Sequence, residues 1–282
     1  MENSILIPTD FSNNSWNAIL YAIKLFEEKK CTFYILHTFS KETHGLDSLT
    51  LLDPDEAFNK MAEIKSKQEL SKMMERLSKL HHNKNHQFKM ISESTLLLDA
   101  VKNLNKELRF KMIVIGAKGM TNNKVNSYGK QTLDILSHIR KCPILVVPTN
   151  VDLNHPKEII LSTNFKTKIK LSDIKNLVEI AKLSNASIQV LSLTQSHKLS
   201  FSQKRNKVFI RKQLKDIGHE FNSLHNVKID TAINCFLAIR HSNMISYIDK
   251  KPTLWERFGL RKLSLNKLGF HPNIPVLALH SK

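Results

Sequence analysis

Three of the seven glycines in the chain lie close together after an apolar run. The run Met112 to Ile115 is followed directly by Gly116, and Gly119 and Gly129 come next, all within fourteen residues. Such a run predicts a buried parallel strand. A glycine loop between a strand and a helix lets backbone N–H groups approach an anion, and the helix N-terminus favours negative charge. The spacing therefore indicates a phosphate-binding loop, although glycines after a strand also serve only to shape a turn.

Two familiar phosphate motifs do not fit this loop. A P-loop needs a glycine five residues before the glycine that precedes its lysine, and a hydroxyl directly after that lysine. The chain has Lys124 and Gln131 at those two positions. The dinucleotide fingerprint Gly-x-Gly-x-x-Gly also differs from the Gly-x2-Gly-x9-Gly found here. The loop belongs to neither class.

Short apolar runs alternate with amphipathic helical patterns around this loop. Strands are predicted at 5–7, 32–36, 88–91, 112–115 and 144–147, and helices at 12–28, 54–82, 96–108 and 132–140. Strands that alternate with helices pair in parallel through right-handed crossovers. We therefore predict an α/β open sheet with helices on both faces.

The second half of the chain repeats this order. The segment 158–165 corresponds to 4–11 with an offset of 154, and the same order predicts strands at 188–193, 227–229, 244–248 and 274–279. Helices are predicted at 171–183, over a basic segment at 201–224, and through Leu237. The polar segment 148–156 has a proline at each end and is typical of a connector. We predict two tandem domains, residues 1–150 and 151–282.

The glycine motif is missing from the second copy. In our alignment Asn164 takes the place of Asp10, Asp249 that of Gly116, and Pro252 that of Gly119. Proline has no N–H to donate, and an aspartate repels phosphate. We expect no nucleotide site in the second domain.

Charge and composition narrow the class of protein. Residues 1–150 carry 21 Lys and Arg against 16 Asp and Glu, a net +5, while residues 151–282 carry 22 against 9, a net +13. A basic field attracts anions without identifying them. Runs long enough to cross a bilayer and a secretory leader are both missing, so we expect a cytoplasmic protein. The three cysteines are expected to be reduced, and His82 and His86, four residues apart, are expected to end a solvated helix rather than to bind a metal.

Four segments resemble the universal stress protein family. They are Ile5 to Ser12, Leu36-His37, the three-glycine spacing after Ile115, and Cys142 to Pro148. The resemblance covers the first domain fully and the second in outline, so the chain looks like a tandem universal stress protein. It implies that each domain is a Rossmann-like, five-stranded parallel sheet of the adenine nucleotide alpha hydrolase type. A nucleotide cleft is then expected at the carboxyl edge, where the strand order reverses.

The resemblance also implies a ligand and the residues that bind it. The expected ligand is ATP, or ADP or AMP, with Mg²⁺ only if a triphosphate is bound. Asp10 and Thr9 would serve the base, although an aspartate before a helix is also a common helix cap. The second strand would approach the adenine near His37, whose side chain is itself expected to be packed or solvated. The ribose and phosphates would be held by Gly116, Lys118, Gly119, Gly129, Lys130, Gln131 and Thr132.

One position departs from the family pattern. A serine or threonine is expected after the third glycine, and this chain has Lys130. Lysine could contact a phosphate as a point charge, or it could mark a degraded site. Thr132 keeps a hydroxyl near the helix start and could replace the missing one.

Three functions remain open at this point. The first is a regulatory stress-response protein that binds an adenine nucleotide, and the second is an interaction module whose glycine loop is a relic. The third is a slow ATP hydrolase, but no carboxylate or histidine is expected beside the loop as a base, so we predict a protein that is not an enzyme. The basic segments 201–224 and 250–267 could suit nucleic acid, but no recognised motif is present and specific binding is not expected.

The closing strands of the two domains predict how the chain associates. Family members associate through this strand, which here corresponds to 144–147 and 276–279. We expect the two domains to pair with each other, and a homodimer remains possible.

Overall fold

The computed structural model describes residues 3–39, 54–118, 127–194, 198–251 and 264–280. The first half contains β1 (Asn3–Pro8), α1 (Asn13–Leu25), β2 (Cys31–Thr38), α2 (Pro54–Leu80), β3 (His86–Glu93), α3 (Leu97–Leu108), β4 (Met112–Gly116), α4 (Lys130–His138) and β5 (Ile144–Val147). The second half contains β6 (Glu158–Thr163), α5 (Leu171–Leu183), β7 (Ser187–Thr194), α6 (Phe201–Gln213), β8 (His219–His225), α7 (Ile229–Arg240), β9 (Met244–Asp249), α8 (Ser264–Leu268) and β10 (Val276–His280).

All the strands belong to a ten-stranded sheet in the order β3-β2-β1-β4-β5-β10-β9-β6-β7-β8. Within each half the five strands are parallel. The pair β5 and β10 is antiparallel, with Val146 opposite Val276 and Ile144 opposite Ala278. The α/β class and the largely parallel sheet are confirmed.

Helices cover both faces of the sheet because its strands carry apolar side chains on both sides. Ile5 and Ile7 of β1 belong to one core, which α1, α2, α5 and α6 cover. Leu6 belongs to the other core, which α3, α4, α7 and α8 cover. These three side chains are completely buried. Burial of an Ile or Leu side chain contributes about 1.5–3 kcal/mol each, so this double-sided packing accounts for the continuous apolar strands.

Polar contacts also cross the joint between β5 and β10. The Arg140 guanidinium forms an ion pair with Asp249 and also donates to the Asp249 carbonyl oxygen at 2.5 Å. Nε2 of the buried His280 lies 2.7 Å from the Cys142 carbonyl oxygen. Side-chain hydrogen bonds and an ion pair therefore support the pairing of β5 with β10.

The predicted helix over 201–224 is wrong in its second half. Helix α6 ends at Gln213, and residues His219–His225 form β8, parallel to β7. Gly218 precedes this strand, and its carbonyl oxygen accepts a hydrogen bond from Ile188 N at 2.8 Å. The strand is mostly polar and half-exposed, so its period-two pattern is weak, although Phe221 packs against the core. The predicted strand at 227–229 is also wrong, because α7 begins at Ile229.

The pair His82 and His86 does not share a helix. Helix α2 ends at Leu80, and His86 begins β3. Nδ1 of His86 lies 2.7 Å from Nε2 of His81 and its Nε2 lies 3.0 Å from the Phe26 carbonyl oxygen. Across the described ranges, no three His, Cys, Asp or Glu side chains come together as metal ligands would. The helices in those ranges are all too short or too polar to span a bilayer.

Candidate functional site

The strand order of the first half reverses between β1 and β4. Strands β2 and β3 lie to one side of β1, and β4 and β5 lie to the other. In open α/β sheets, ligands bind outside the carboxyl ends of the strands at such a point. Here β1 ends at Pro8 and β4 ends at Gly116, so the reversal brings the residues after both strands together.

A cleft of about 310 Å³ opens at this point, and we call it the first cleft. It is formed by the carboxyl ends of β1, β2 and β4, by residues that follow β1 and β4, and by the start of α4. Gly119, also a candidate, lies outside the described residues. The other nine candidates line the first cleft: Thr9, Asp10, His37, Gly116, Lys118, Gly129, Lys130, Gln131 and Thr132.

A tight turn after β1 positions Asp10. Phe11 has a φ of 62°, in the left-handed region that bulky residues rarely adopt. Thr9 Oγ1 accepts a hydrogen bond from Phe11 N at 3.0 Å, and Asp10 Oδ1 accepts one from Ser12 N at 3.2 Å. The N-cap of α1 is Ser12, whose Oγ accepts from Ser15 N. Asp10 therefore stabilises the turn before the cap and does not itself cap the helix.

Gly116 is required by a close approach of α1. A Cβ at this position would lie 2.7 Å from Nδ2 of Asn14 and 3.1 Å from its Cγ. Asn14 Nδ2 donates to the Lys118 carbonyl oxygen at 2.5 Å. The first glycine therefore makes room for Asn14, which anchors the start of the loop. The sequence analysis did not identify Asn14.

The N-terminus of α4 faces the first cleft through Gly129, Lys130 and Gln131. Gly129 is the N-cap and has no side chain with which to cap the helix. The first-turn N–H groups of a helix have no intrahelical acceptor, and the helix dipole makes this end partly positive. The start of α4 therefore presents backbone N–H donors and a partial positive charge to the first cleft.

Thr132 does not replace the missing hydroxyl in the way that the sequence suggested. Its side chain is buried, and Oγ1 donates to the Gly116 carbonyl oxygen at 2.8 Å. Because the hydroxyl proton is held by that carbonyl, the oxygen offers only lone pairs to the cleft. The contact joins α4 to the end of β4 and has a structural role.

The two lysines of the first cleft differ in their surroundings. Lys118 Nζ lies 4.8 Å from the centroid of the Phe270 ring, which belongs to the second half. A cation over an aromatic face is stabilised by about 0.5–1 kcal/mol at exposed sites. Lys130 is exposed at the first position of α4. Of the two, Lys130 belongs to the helix whose N-terminus faces the first cleft.

His37 lies at the carboxyl end of β2 in a hydrogen-bonded chain. Its Nδ1 lies 2.7 Å from Ser66 Oγ, which lies 2.7 Å from Ser92 Oγ. The ring also packs against Phe11, with centroids 4.3 Å apart. Burial lowers the pKa of His37, and the nearby Asp10 carboxylate partly opposes that shift. Asp10 and His37 both line the first cleft, where the sequence analysis assigned them to the base side. That no carboxylate or histidine serves the loop as a base stays a prediction.

The second half keeps the turn but not the cleft chemistry. Thr163 Oγ1 accepts from Phe165 N at 3.0 Å, Asn164 Oδ1 accepts from Lys166 N at 3.0 Å, and Phe165 has a φ of 58°. These contacts reproduce those of Thr9, Asp10 and Phe11. Asn164 thus retains the hydrogen bond of Asp10 without its charge.

The strand register corrects the alignment of the glycines by one residue. Ile5 pairs with Met112 in the first half, and Ile159 pairs with Met244 in the second. Counting from these pairs places Ile248, not Asp249, at the position of Gly116. Because side chains alternate across a strand, the shift also moves Asp249 to the opposite face, where it meets Arg140. The second half lacks the first glycine because an isoleucine fills that position.

Five further residues line the first cleft that the sequence analysis did not name as candidates. Three of them, Pro8, Thr38 and Leu97, end strands or begin a helix at the carboxyl edge, which the predicted element boundaries could have indicated. The five are Pro8, Ser15, Thr38, Leu97 and Ile115.

Comparison with known proteins agrees with the geometry. Residues 1–148 match the model of the universal stress protein family. No curated protein matches the chain by sequence. A universal stress protein from Archaeoglobus fulgidus DSM 4304 superimposes with a TM-score of 0.69 at 13% identity, covering 99% of both chains. A functionally unknown protein from Pseudomonas aeruginosa PAO1 gives a TM-score of 0.52 at 11% identity, covering 99% of this chain and 93% of that one. At these identities the two structures establish the fold alone. With the family match over more than half of its length, the chain belongs to the universal stress protein family.

Proposed function

We propose that this protein is a stress-response regulator whose first half binds ATP or a related adenine nucleotide in the first cleft. The observation that supports the proposal is the convergence of nine of the ten candidate residues on one cleft at the strand-order reversal. In this proposal the two halves are tandem domains, and the second half takes part in regulation without binding a nucleotide.

The residues of the first cleft divide into two groups that fit two parts of a nucleotide. Asp10 carries a carboxylate that can accept a hydrogen bond from an exocyclic amine, and His37 and Leu97 offer flat or apolar contact surface. The start of α4 offers N–H donors and a partial positive charge to phosphates. A nucleotide bound across the cleft would place its base towards β1 and β2 and its phosphates towards α4.

Lys130 is compatible with this arrangement. A lysine at the first position of a helix adds a full positive charge to the dipole that already favours an anion there. Because the charge interacts most strongly with the most highly charged ligand, ATP should bind more tightly than AMP. Mg²⁺ would then accompany the triphosphate as a counterion of the phosphates.

We propose that binding is the main role and that hydrolysis is at most slow. In this arrangement His37 lies on the side of the base, while the phosphates lie towards α4, so His37 is not positioned as the general base of a hydrolase. Phosphate release that is abolished by His37→Gln, while ATP affinity is retained, would contradict this role.

Calorimetry with ATP, ADP and AMP tests the proposal. We expect wild-type protein to bind ATP. Lys130→Glu should lower the affinity for ATP by about tenfold or more and lower the affinity for AMP less. The matched control is Lys141→Glu, a lysine just beyond α4 that is also exposed and does not line the cleft. No heat of binding at millimolar nucleotide, or equal effects of both variants, would contradict the proposal.

A further inference from the structure

A second groove lies at the carboxyl edge of the second half. Two adjoining cavities of about 260 and 420 Å³ share the lining residues Asn164, Leu193 and Ile229. They follow β6, β7 and β9, as the first cleft follows β1, β2 and β4. We call the two cavities together the basic groove.

The charge of the basic groove is uniform. Its described lining residues include four lysines, Lys166, Lys198, Lys250 and Lys267, and neither aspartate nor glutamate. Asp230 follows the lining residue Ile229, but it is not itself a lining residue, and its Oδ1 accepts from Thr231 N at 2.8 Å.

The lysines continue beyond the lining of the groove. Lys168, Lys228 and Lys251 are all exposed, and each directly follows a lining residue in the sequence. The charge is therefore spread along the carboxyl edge and not concentrated at one point. Such a distribution suits an anion that is itself extended and carries repeated charges.

The groove lacks the features that hold a compact nucleotide. Ile248 replaces the first glycine, and Asn164 replaces the carboxylate that faces the base in our proposal for the first cleft. Leu193 stands at the position of Thr38, again by strand register. The remaining attraction is provided by lysine ammonium groups, which bind phosphate as point charges without fixing a geometry.

The groove also lacks the features that read nucleic acid. Single-stranded nucleic acid binds by stacking its bases on exposed aromatic side chains. Among the described lining residues the aromatic side chain is that of Tyr247, which is only 4% exposed. Arginine, whose planar fork recognises bases and phosphates, is missing from the same set. The lining therefore favours a phosphate chain without bases.

We propose that the basic groove binds linear inorganic polyphosphate through lysine point charges. Polyphosphate carries a negative charge on every unit, so several lysines along the edge can be neutralised by one chain. The inference does not depend on nucleotide binding in the first cleft.

The test is a binding titration of the full chain with long-chain polyphosphate, with tripolyphosphate as the short probe, in the presence of excess ATP. We expect the long chain to bind more tightly than tripolyphosphate, with an affinity that falls steeply as salt rises. The double variant Lys166→Glu/Lys250→Glu should lower the affinity for the long chain by about tenfold or more. It should also lower the slope of log affinity against log salt concentration by about one for each lost contact.

The matched control changes the net charge equally at the opposite edge. Lys157 precedes β6 and Lys182 lies in the last turn of α5, and both are exposed. Lys157→Glu/Lys182→Glu should leave polyphosphate affinity within about twofold of wild type. An equal loss of polyphosphate affinity in both double variants would mean that only net charge matters. That result would overturn the proposal.

A second variant keeps the test independent of the lysines. Asn164→Asp is close in shape, and an aspartate oxygen can still accept from Lys166 N, but it adds a negative charge to the groove. We expect weaker polyphosphate binding with unchanged thermal unfolding. Tighter binding of oligouridylate than of polyphosphate, at equal phosphate concentration, would assign the groove to nucleic acid and overturn the proposal.

Discussion

The two halves of the sheet share a backbone plan and differ in what stands at the carboxyl edge. Both have the Thr-Asx-Phe turn with a left-handed phenylalanine, and both end the third helix of the half with a left-handed residue, Arg109 or His241. The first cleft is lined by Asp10 and by the N-terminus of α4, while the basic groove is lined by lysines without a carboxylate among its described lining residues. Turn geometry is thus retained where strand and helix must connect, while the residues that line the edge differ.

The largest expected effect is on stability, at the joint between β5 and β10. There the first half contributes Arg140 and the second half contributes Asp249. Asp249 occupies the position that Ala117 has in the first half, and its side chain is 9% exposed. We expect Arg140→Ala to lower the free energy of unfolding by about 3 kcal/mol, because it removes the guanidinium from a buried carboxylate and leaves His280 Nδ1, 3.7 Å away, as its neighbour. Urea denaturation measures the loss. The double variant Arg140→Ala/Asp249→Ala should lose less than the single variant, and an equal or larger loss would argue against the ion pair.

Gly116→Ile gives the first half the isoleucine that the second half has at the corresponding position, Ile248. Because a Cβ would lie 2.7 Å from Asn14 Nδ2, we expect a loss of about 1–3 kcal/mol in stability. Nucleotide affinity should fall more than stability alone explains, since Asn14 would no longer anchor the loop. Calorimetry at a temperature where the variant remains folded separates the two effects. Unchanged affinity in a folded variant would remove the loop from the site.

Asp10→Asn makes the turn of the first half identical to that of the second. Asparagine Oδ1 can accept the same hydrogen bond from Ser12 N, as Asn164 does from Lys166 N, so stability should change by less than about 0.5 kcal/mol. Loss of a charged acceptor should weaken adenine nucleotide binding by about tenfold. An inosine nucleotide, which has no exocyclic amine, should be insensitive to the change. Equal weakening of both ligands would rule out contact with the base.

The smallest expected effect is on how the stability of the fold depends on pH. Burial lowers the pKa of His37, and the register places Ser192, which does not titrate, at that position in the second half. Between the lowered pKa and about 6.5 the unfolded chain binds more protons, so stability rises with pH across that window. We expect His37→Gln to reduce this slope slightly, measured as unfolding midpoints from pH 5 to 7. An unchanged slope would show that the ring titrates as in the unfolded chain.

Sequence patterns predicted most of the strands and helices of the first half. Its motifs and its apolar periodicity indicate the same arrangement. The strand runs around Ile5 and Ile113, and the glycines after them, point to one edge of one sheet. The second half was less predictable. The edge strand at 219–225 carries polar side chains on a half-exposed surface, so its period is weak, and one-residue register errors such as that at Ile248 need strand pairing to detect.

Two site residues make contacts that could not have been predicted from the sequence. Thr132 was expected to meet phosphate, but its donor is used by a carbonyl sixteen residues earlier. Lys118 was assigned to the loop, yet its ammonium group contacts Phe270 from the other half. Both contacts depend on how distant segments pack, which local patterns do not record.

The antiparallel pairing of β5 with β10 has a consequence for direction. Since every other neighbouring pair is parallel, the carboxyl ends of the first five strands and those of the last five lie at opposite edges of the sheet. The first cleft and the basic groove therefore open away from each other, and the dipoles of the helices in the two halves oppose rather than add. Two different anions could occupy the molecule at once without meeting, and each could sense the other only through the strands between them.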